Sequence, residues 1–274
     1  MLNDSKPSTA IGIEQLLEIM SKLRDPSTGC DWDKKQTFKT IVPHTLEEAH
    51  EVADAIEQGD FAHLKEELGD LLFQVIFYAQ LGKEQGLFDF ADIVQTLNDK
   101  LVRRHPHVFE KQESLNEAEL EQQWHAIKQQ EKQGQKQGAF AADIPSSLPA
   151  LSKAYKIQKQ AAKLGFDWPS YHGAWDKVQE EVAEVSEALQ VDPLSEHTAE
   201  EVGDLLFATV NVSRHIKRDP EQLLRQANEK FRNRFVQVEA VLNESSLSLK
   251  DASLEEMDGA WETVKRRQRS KNRD

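Results

Sequence analysis

Apolar positions along the chain recur at helical spacing and nowhere alternate convincingly as they would in a strand. Leu46, Ala49, Val52, Ala53 and Ile56 fall three and four residues apart. Thr45 followed by Leu46-Glu47-Glu48 predicts a capped start with acids in the first turn, and Gly59-Asp60 predicts the stop. A second helix is predicted from Phe61 to Leu81, with a centre apolar on most sides that reads as buried. A third is predicted over Phe90 to Arg104, ending near Pro106, and a fourth over Glu117 to Lys132. Further helices are predicted at 173–190, 197–217, 220–243 and 253–269, with an additional one before each set at 12–24 and 150–163. The expected fold class is all-α, built of helical bundles.

The pattern occurs twice. Glu66-Glu67-Leu68-Gly69-Asp70-Leu71-Leu72-Phe73 returns as Glu200-Glu201-Val202-Gly203-Asp204-Leu205-Leu206-Phe207. Upstream, Glu47-Glu48-x-x-Glu51-Val52 answers Glu180-Glu181-x-x-Glu184-Val185, and Asp31-Trp32 answers Asp167-Trp168. Downstream, Lys100 and Arg104 answer Lys230 and Arg234, and Trp124-x-x-x-Lys128 answers Trp261-x-x-x-Lys265. Landmarks in one order at so long a period indicate a duplicated domain, not a solenoid. Between the copies the chain is polar and glycine-containing at 133–138, then proline-broken at 144–149. The expected division is 1–132, a linker at 133–147, and 148–274.

Composition narrows the function. The chain has 274 residues, a formal charge of −14, and 38% hydrophobic and 30% charged residues. That acidity argues against direct binding of nucleic acid, which needs a basic face. It leaves a polyphosphate possible where metal ions intervene. With one cysteine, Cys30, no intrachain disulfide can form, which fits a reducing cytoplasm. The N-terminal residues lack a leader pattern, and the longest apolar run is too short to span a bilayer, so no membrane association is expected.

Residues three and four apart share a helix face, so Glu181 pairs with Glu184, and Glu201 with Asp204. Packed as an antiparallel hairpin, the two helices bring four carboxylates together. Such a cluster is unfavourable without a cation. Oxygen ligands of this kind suit Mg2+ or Mn2+ better than zinc, and magnesium takes phosphate oxygens as further ligands. Lys230 and Arg234 on one face, and Lys265 one turn beyond Trp261, offer charge to phosphate, and the tryptophan offers a ring face to a base. Taken singly, each feature has a plainer reading: a solvated acidic face, surface cations, a core tryptophan. Gly203 inside its helix costs about 1 kcal/mol against alanine, for which close packing or room for a ligand is the expected reason. Glu47-x-x-His50 has di-iron spacing, but the second copy lacks the histidine. His105 and His107 read as satisfied surface histidines, Cys30 as buried, and the basic run from Lys265 to Arg273 as a solvated tail. No glycine-rich phosphate loop is present.

In this ordered, duplicated set the chain resembles the MazG family of nucleoside triphosphate pyrophosphohydrolases in its long, two-domain form. The carrying residues are Glu180-Glu181-x-x-Glu184, Glu201-x-x-Asp204, Lys230, Arg234, Trp261 and Lys265, and in the first copy Glu48, Glu51, Glu67, Asp70, Lys100, Arg104, Trp124 and Lys128. The resemblance implies two tandem all-α domains dimerising through helices. It implies Mg2+-dependent cleavage of nucleoside triphosphates to the monophosphate and pyrophosphate, with broad tolerance for the base and the C-terminal domain catalytic. Glu181, Glu184, Glu201 and Asp204 would ligate the metal, and Glu180 or Glu181 would accept the proton from water. Lys177, His197, Lys230, Arg234, Trp261 and Lys265 would bind substrate. His197 stands where close relatives are expected to carry lysine, which would weaken phosphate binding from that turn or make it pH-dependent. A pyrophosphatase selective for one nucleotide, or a helical regulatory scaffold with vestigial acid clusters, are the competing readings.

Overall fold

The computed structural model describes residues 9–110, 114–132, 140–142 and 144–271. Among these the architecture is all-α, with no strand. The chain divides into two compact units, Met1–Gln135 and Lys136–Asp274. The polar stretch 133–138 of the expected linker lies outside the described residues, as do Arg273 and the side chains of Lys128 and Lys271.

The first unit comprises α1 (Thr9–Leu23), α2 (Asp31–Lys35), α3 (Phe38–Gln58), α4 (Phe61–Glu84), α5 (Phe90–Arg104), α6 (Pro106–Phe109) and α7 (Glu117–Lys132). Helices α3 and α4 form its central hairpin. The turn is short because Gly59 adopts a left-handed conformation at φ 72° and Asp60 caps α4, accepting from the amides of Ala62 and His63. Met20, Ile41, Ile76, Phe77 and Leu81 form the buried core, with Phe38, Phe73, Tyr78 and Phe90 packed around it.

Helix α3 begins a full two turns before the expected start at Thr45. Thr37 is the true cap: its hydroxyl accepts from the Thr40 amide while the Thr40 hydroxyl accepts from the Thr37 amide. Pro43 sits inside the helix and forgoes one backbone bond. Thr45 instead meets the Tyr78 hydroxyl at 2.9 Å. Helix α4 is also less enclosed than its composition implies. Ile76 and Phe77 are buried, but Leu68, Leu72 and Val75, spaced along another face, are exposed in the single chain. The short helices α2 and α6 were not legible from periodicity, being too brief to show one.

The second unit comprises α8 (Ala150–Lys163), α9 (Tyr171–Val191), α10 (Glu196–His215), α11 (Pro220–Glu244) and α12 (Leu254–Lys271). It contains two hairpins, α9–α10 and α11–α12, with α8 packed on α10 and α11. Ser195 caps α10 by accepting from the Thr198 amide, and the Thr198 hydroxyl donates back to the Asp192 carbonyl at 2.7 Å, which tightens the α9–α10 turn. Val238, Leu242, Ala260 and Val264 form the core of the α11–α12 hairpin. The segment before α9 is pinned by Asp167, which accepts from Arg214 at 2.9 Å. Trp168 packs so closely on Gly173 that a Cβ there would lie 2.2 Å from the indole. Any side chain at position 173 would displace that ring.

Candidate active site

In each unit the central hairpin brings acids from two helices into one cluster. Carboxylate oxygens of Glu181 on α9 and of Glu201 and Asp204 on α10 lie within 4.8 Å of one another, and those of Glu48, Glu67 and Asp70 do the same in the first unit. Glu181 and Glu67 are buried, Glu201 and Glu48 partly so, and Asp204 and Asp70 exposed. The cluster is therefore anchored at its base and open on one side. Glu184 and Glu51, the remaining expected ligands, stand one turn along and are exposed; neither joins the tight group.

The electrostatics show the strain of assembling like charges. Burial, then the neighbouring Asp70, Glu51 and Glu67, push the Glu48 carboxyl above its ordinary value. Burial chiefly raises Glu67 as well, against a lowering by His63. Glu184 is raised by burial and then by Glu181, with Lys177 opposing. A divalent cation would relieve this repulsion, and the donor set, carboxylate oxygens only, fits a hard cation such as magnesium or manganese. A Cβ built at Gly69 or Gly203 would meet nothing within 4 Å. Close packing within the chain is thus not the reason for these glycines, and the helix surface beside the acids has room.

A lysine and a histidine border the second cluster. Lys177 Nζ lies 2.7 Å from Glu181 and 2.8 Å from Glu180, and the two glutamates hold its ammonium well above its ordinary pKa. His197 Nδ1 lies 3.4 Å from Glu201. The sequence reading missed that His63 occupies the matching place in the first unit, 3.1 Å from Glu67. Aligning the two Glu-x-x-Asp segments one turn further back would have revealed it.

The remaining expected substrate residues belong to the α11–α12 hairpin and do not contact the acids. Lys230 is exposed. Arg234 donates to Gln268 at 2.9 Å and lies over the Trp261 ring, 5.9 Å from its centroid. Trp261 is half-buried against the hairpin core and Phe231, so it has the structural role its plainer reading gave it, with part of its surface still accessible. Lys265 pairs with Glu262. In the first unit Arg103 and Arg104 both bind Glu131, at 2.7 and 2.6 Å, and drive its carboxyl down to about 2. His105 and His107 are satisfied by the Leu101 carbonyl and Gln123. Cys30, expected to be buried, is exposed: it sits at the start of α2, where its amide bonds Leu23 and its side chain faces solvent.

With this geometry in view, the comparisons with known proteins are specific. Residues 36–109, which span the first acid cluster, match the MazG nucleotide pyrophosphohydrolase domain. Over 257 residues the chain is 50% identical to the nucleoside triphosphate pyrophosphohydrolase of Escherichia coli K12, covering 93% of this chain and 98% of that one. The chain belongs to the MazG family. The nucleoside triphosphate pyrophosphohydrolase/pyrophosphatase MazG of Thermotoga maritima is 43% identical over 92% of this chain and 95% of its own length. A crystal structure of a mazG-related protein from the same organism aligns with 42% of this chain and 98% of that one, at 31% identity and a TM-score of 0.37. As a member of this family the chain is a hydrolase, all-α among its described residues, and holds acid clusters able to bind metal. Among those residues no helix is long and apolar enough to cross a membrane.

Proposed function

We propose that this MazG protein hydrolyses nucleoside triphosphates to the monophosphate and pyrophosphate, with Mg2+ as cofactor and Mn2+ as a substitute, and with broad tolerance for the base. The observation that carries this reading is the convergence of Glu181, Glu201 and Asp204 at an open-sided hairpin in a chain of this family. These three would hold the metal, with Glu184 one turn away completing the set. The bound metal would supply charge to polarise the α-phosphate and acidify water. Glu180, exposed, outside the tight group and paired with Lys177, would accept the proton from the attacking water. Lys177 and His197 border the cluster where phosphate oxygens would enter. Lys230, Arg234 and Lys265 would neutralise the β- and γ-phosphates, and the accessible part of the Trp261 ring would take the base. A ring face makes no demand on hydrogen-bonding edges, which is the physical basis for broad base tolerance.

The family reading extends to organisation. Residues 1–132 and 148–274 are assigned as two MazG-like domains joined by 133–147, the second being catalytic. A homodimer is supported by apolar stripes exposed in the single chain: Leu68, Leu72 and Val75 on α4, Val94, Leu97 and Leu101 on α5, and Leu224, Phe231 and Phe235 on α11. A cytoplasmic setting fits the exposed free thiol of Cys30. The test is a panel of nucleoside triphosphates assayed for phosphate with and without inorganic pyrophosphatase. Phosphate should appear only with the coupling enzyme. Monophosphate formation, read directly by chromatography because the coupling enzyme itself needs magnesium, should stop with EDTA and return with magnesium. Orthophosphate as the primary product, or full activity without metal, would overturn the proposal.

A further inference from the structure

Two matching positions beside the acid clusters carry different chemistry in the two units. One turn before the paired glutamates the second unit has Lys177, whose ammonium touches both Glu180 and Glu181. The first unit has His44 there. Its Nδ1 lies 3.7 Å from Glu47, and its ring sits edge-on against Trp32 with centroids 5.7 Å apart. Glu48, the counterpart of Glu181, is instead met from α4 by the buried Gln74, whose Nε2 donates to it at 3.4 Å. The position matching Gln74 on α10 is Ala208, which is buried and offers no donor. Glu181 thus faces a full positive charge, and Glu48 faces a neutral amide. The histidine opposite is the same in both units, at His63 and His197.

A neutral amide leaves the cluster's negative charge intact for an incoming cation. An ammonium a few ångströms away both repels that cation and competes for Glu181. We propose that the first unit is the tighter divalent-cation site of the chain and the second the weaker, with Lys177 the built-in competitor; this rests on the metal reading of the clusters given above. The consequence separates the roles of the two hairpins. The first keeps its ion in the absence of substrate and is held together by it. The second fills when the cation arrives with a polyphosphate, and the ammonium it displaces from Glu181 then stands next to the incoming phosphate oxygens.

The experiment is a titration of the full-length chain with Mn2+ in the absence of nucleotide, free ion being read by electron paramagnetic resonance. Two classes of site are expected, separated by about tenfold or more in affinity. Glu67→Gln should remove the tighter class and Glu201→Gln the weaker. Lys177→Met should tighten the weaker class by about tenfold, with Lys177→Gln doing the same if the methionine variant fails to fold, while Lys177→Arg retains the wild-type separation. His44→Lys should weaken the tighter class. Equal affinities, reversed assignment, or no tightening in either neutral Lys177 variant would overturn this inference while leaving the metal sites standing. Absence of Mn2+ binding at both clusters would overturn the inference together with the metal reading beneath it.

Discussion

In the first unit Arg104 gives its guanidinium to Glu131 at 2.6 Å, and Arg103 shares the same carboxylate. At the matching place in the second unit Arg234 bonds the neutral Gln268 at 2.9 Å, and no acid pairs with it among the described residues. Together with Lys177 in place of His44, this gives the second unit an ammonium at its acid cluster and an arginine on α11 with a neutral partner, where the first has a histidine and an arginine bound to a carboxylate. Helix α11 also runs from Pro220 to Glu244, whereas α5 stops at Arg104 before Pro106. On the proposed reading, the second unit would offer a polyphosphate an arginine that no carboxylate holds, whereas Arg103 and Arg104 of the first unit are bound to Glu131. Both units keep the carboxylate cluster; on the proposed reading, what differs between them is the positive charge available to a triphosphate.

The largest expected effect lies in the second cluster. Glu201→Gln and Asp204→Asn should each lower turnover on the order of a hundredfold or more. Combined they should be little worse than either alone, because groups acting as one unit fail together. Steady-state kinetics with circular dichroism on each variant checks this, and independent mild losses would break the assignment. Next comes the cation contrast. Gln268→Glu recreates the first unit's pairing and should raise KM for a nucleoside triphosphate by about tenfold, with a smaller effect on kcat, because Arg234 would then answer to a carboxylate. The reciprocal Glu131→Gln should leave turnover unchanged while lowering the melting temperature, since two arginines lose their shared partner.

A subtler effect concerns pH. Glu48, Glu67 and Glu184 have carboxyls raised by folding, so the folded chain holds protons that the unfolded chain releases. Stability from these groups is present below the ordinary carboxylate range and lost as pH rises through their folded values. In EDTA the protein should therefore melt higher at about pH 5.5 than at about pH 7.5, and saturating magnesium should remove that difference. Glu131, Glu84 and Asp167 are lowered by their arginine partners and act in the other direction, losing stability only as pH falls below the ordinary range. A metal-free melting curve that climbs steadily between those two pH values would contradict the strain read in the clusters. The smallest effect is local: Thr37→Ala removes the α3 cap and should cost about 1 kcal/mol in denaturant unfolding of the first unit, with turnover untouched.

Much of this was legible in the sequence because long helices write their period plainly. The bounds of α5 and α7 follow from periodicity, capping and the proline at 106. The carboxylate clusters were legible because spacing fixes which acids share a face and a short turn fixes the hairpin. What failed did so for physical reasons. The start of α3 was misplaced because a proline six positions into a helix looks like a stop, whereas the reciprocal Thr37–Thr40 cap outweighs it. The exposed face of α4 was hidden because an apolar composition does not say which side the chain itself covers. The contrast at Gln268 and Glu131 went unread because neither residue is chemically conspicuous until the structure places it against an arginine.

The central claim is that the second unit carries the turnover while the first keeps a similar cluster for another purpose. Glu67→Gln and Glu201→Gln, made separately in the full chain and compared for pyrophosphate release at saturating magnesium after each is shown to be folded, test it directly. Turnover should collapse with Glu201→Gln and persist close to the wild-type rate with Glu67→Gln. A greater loss with Glu67→Gln would place the chemistry in the first unit and contradict the account.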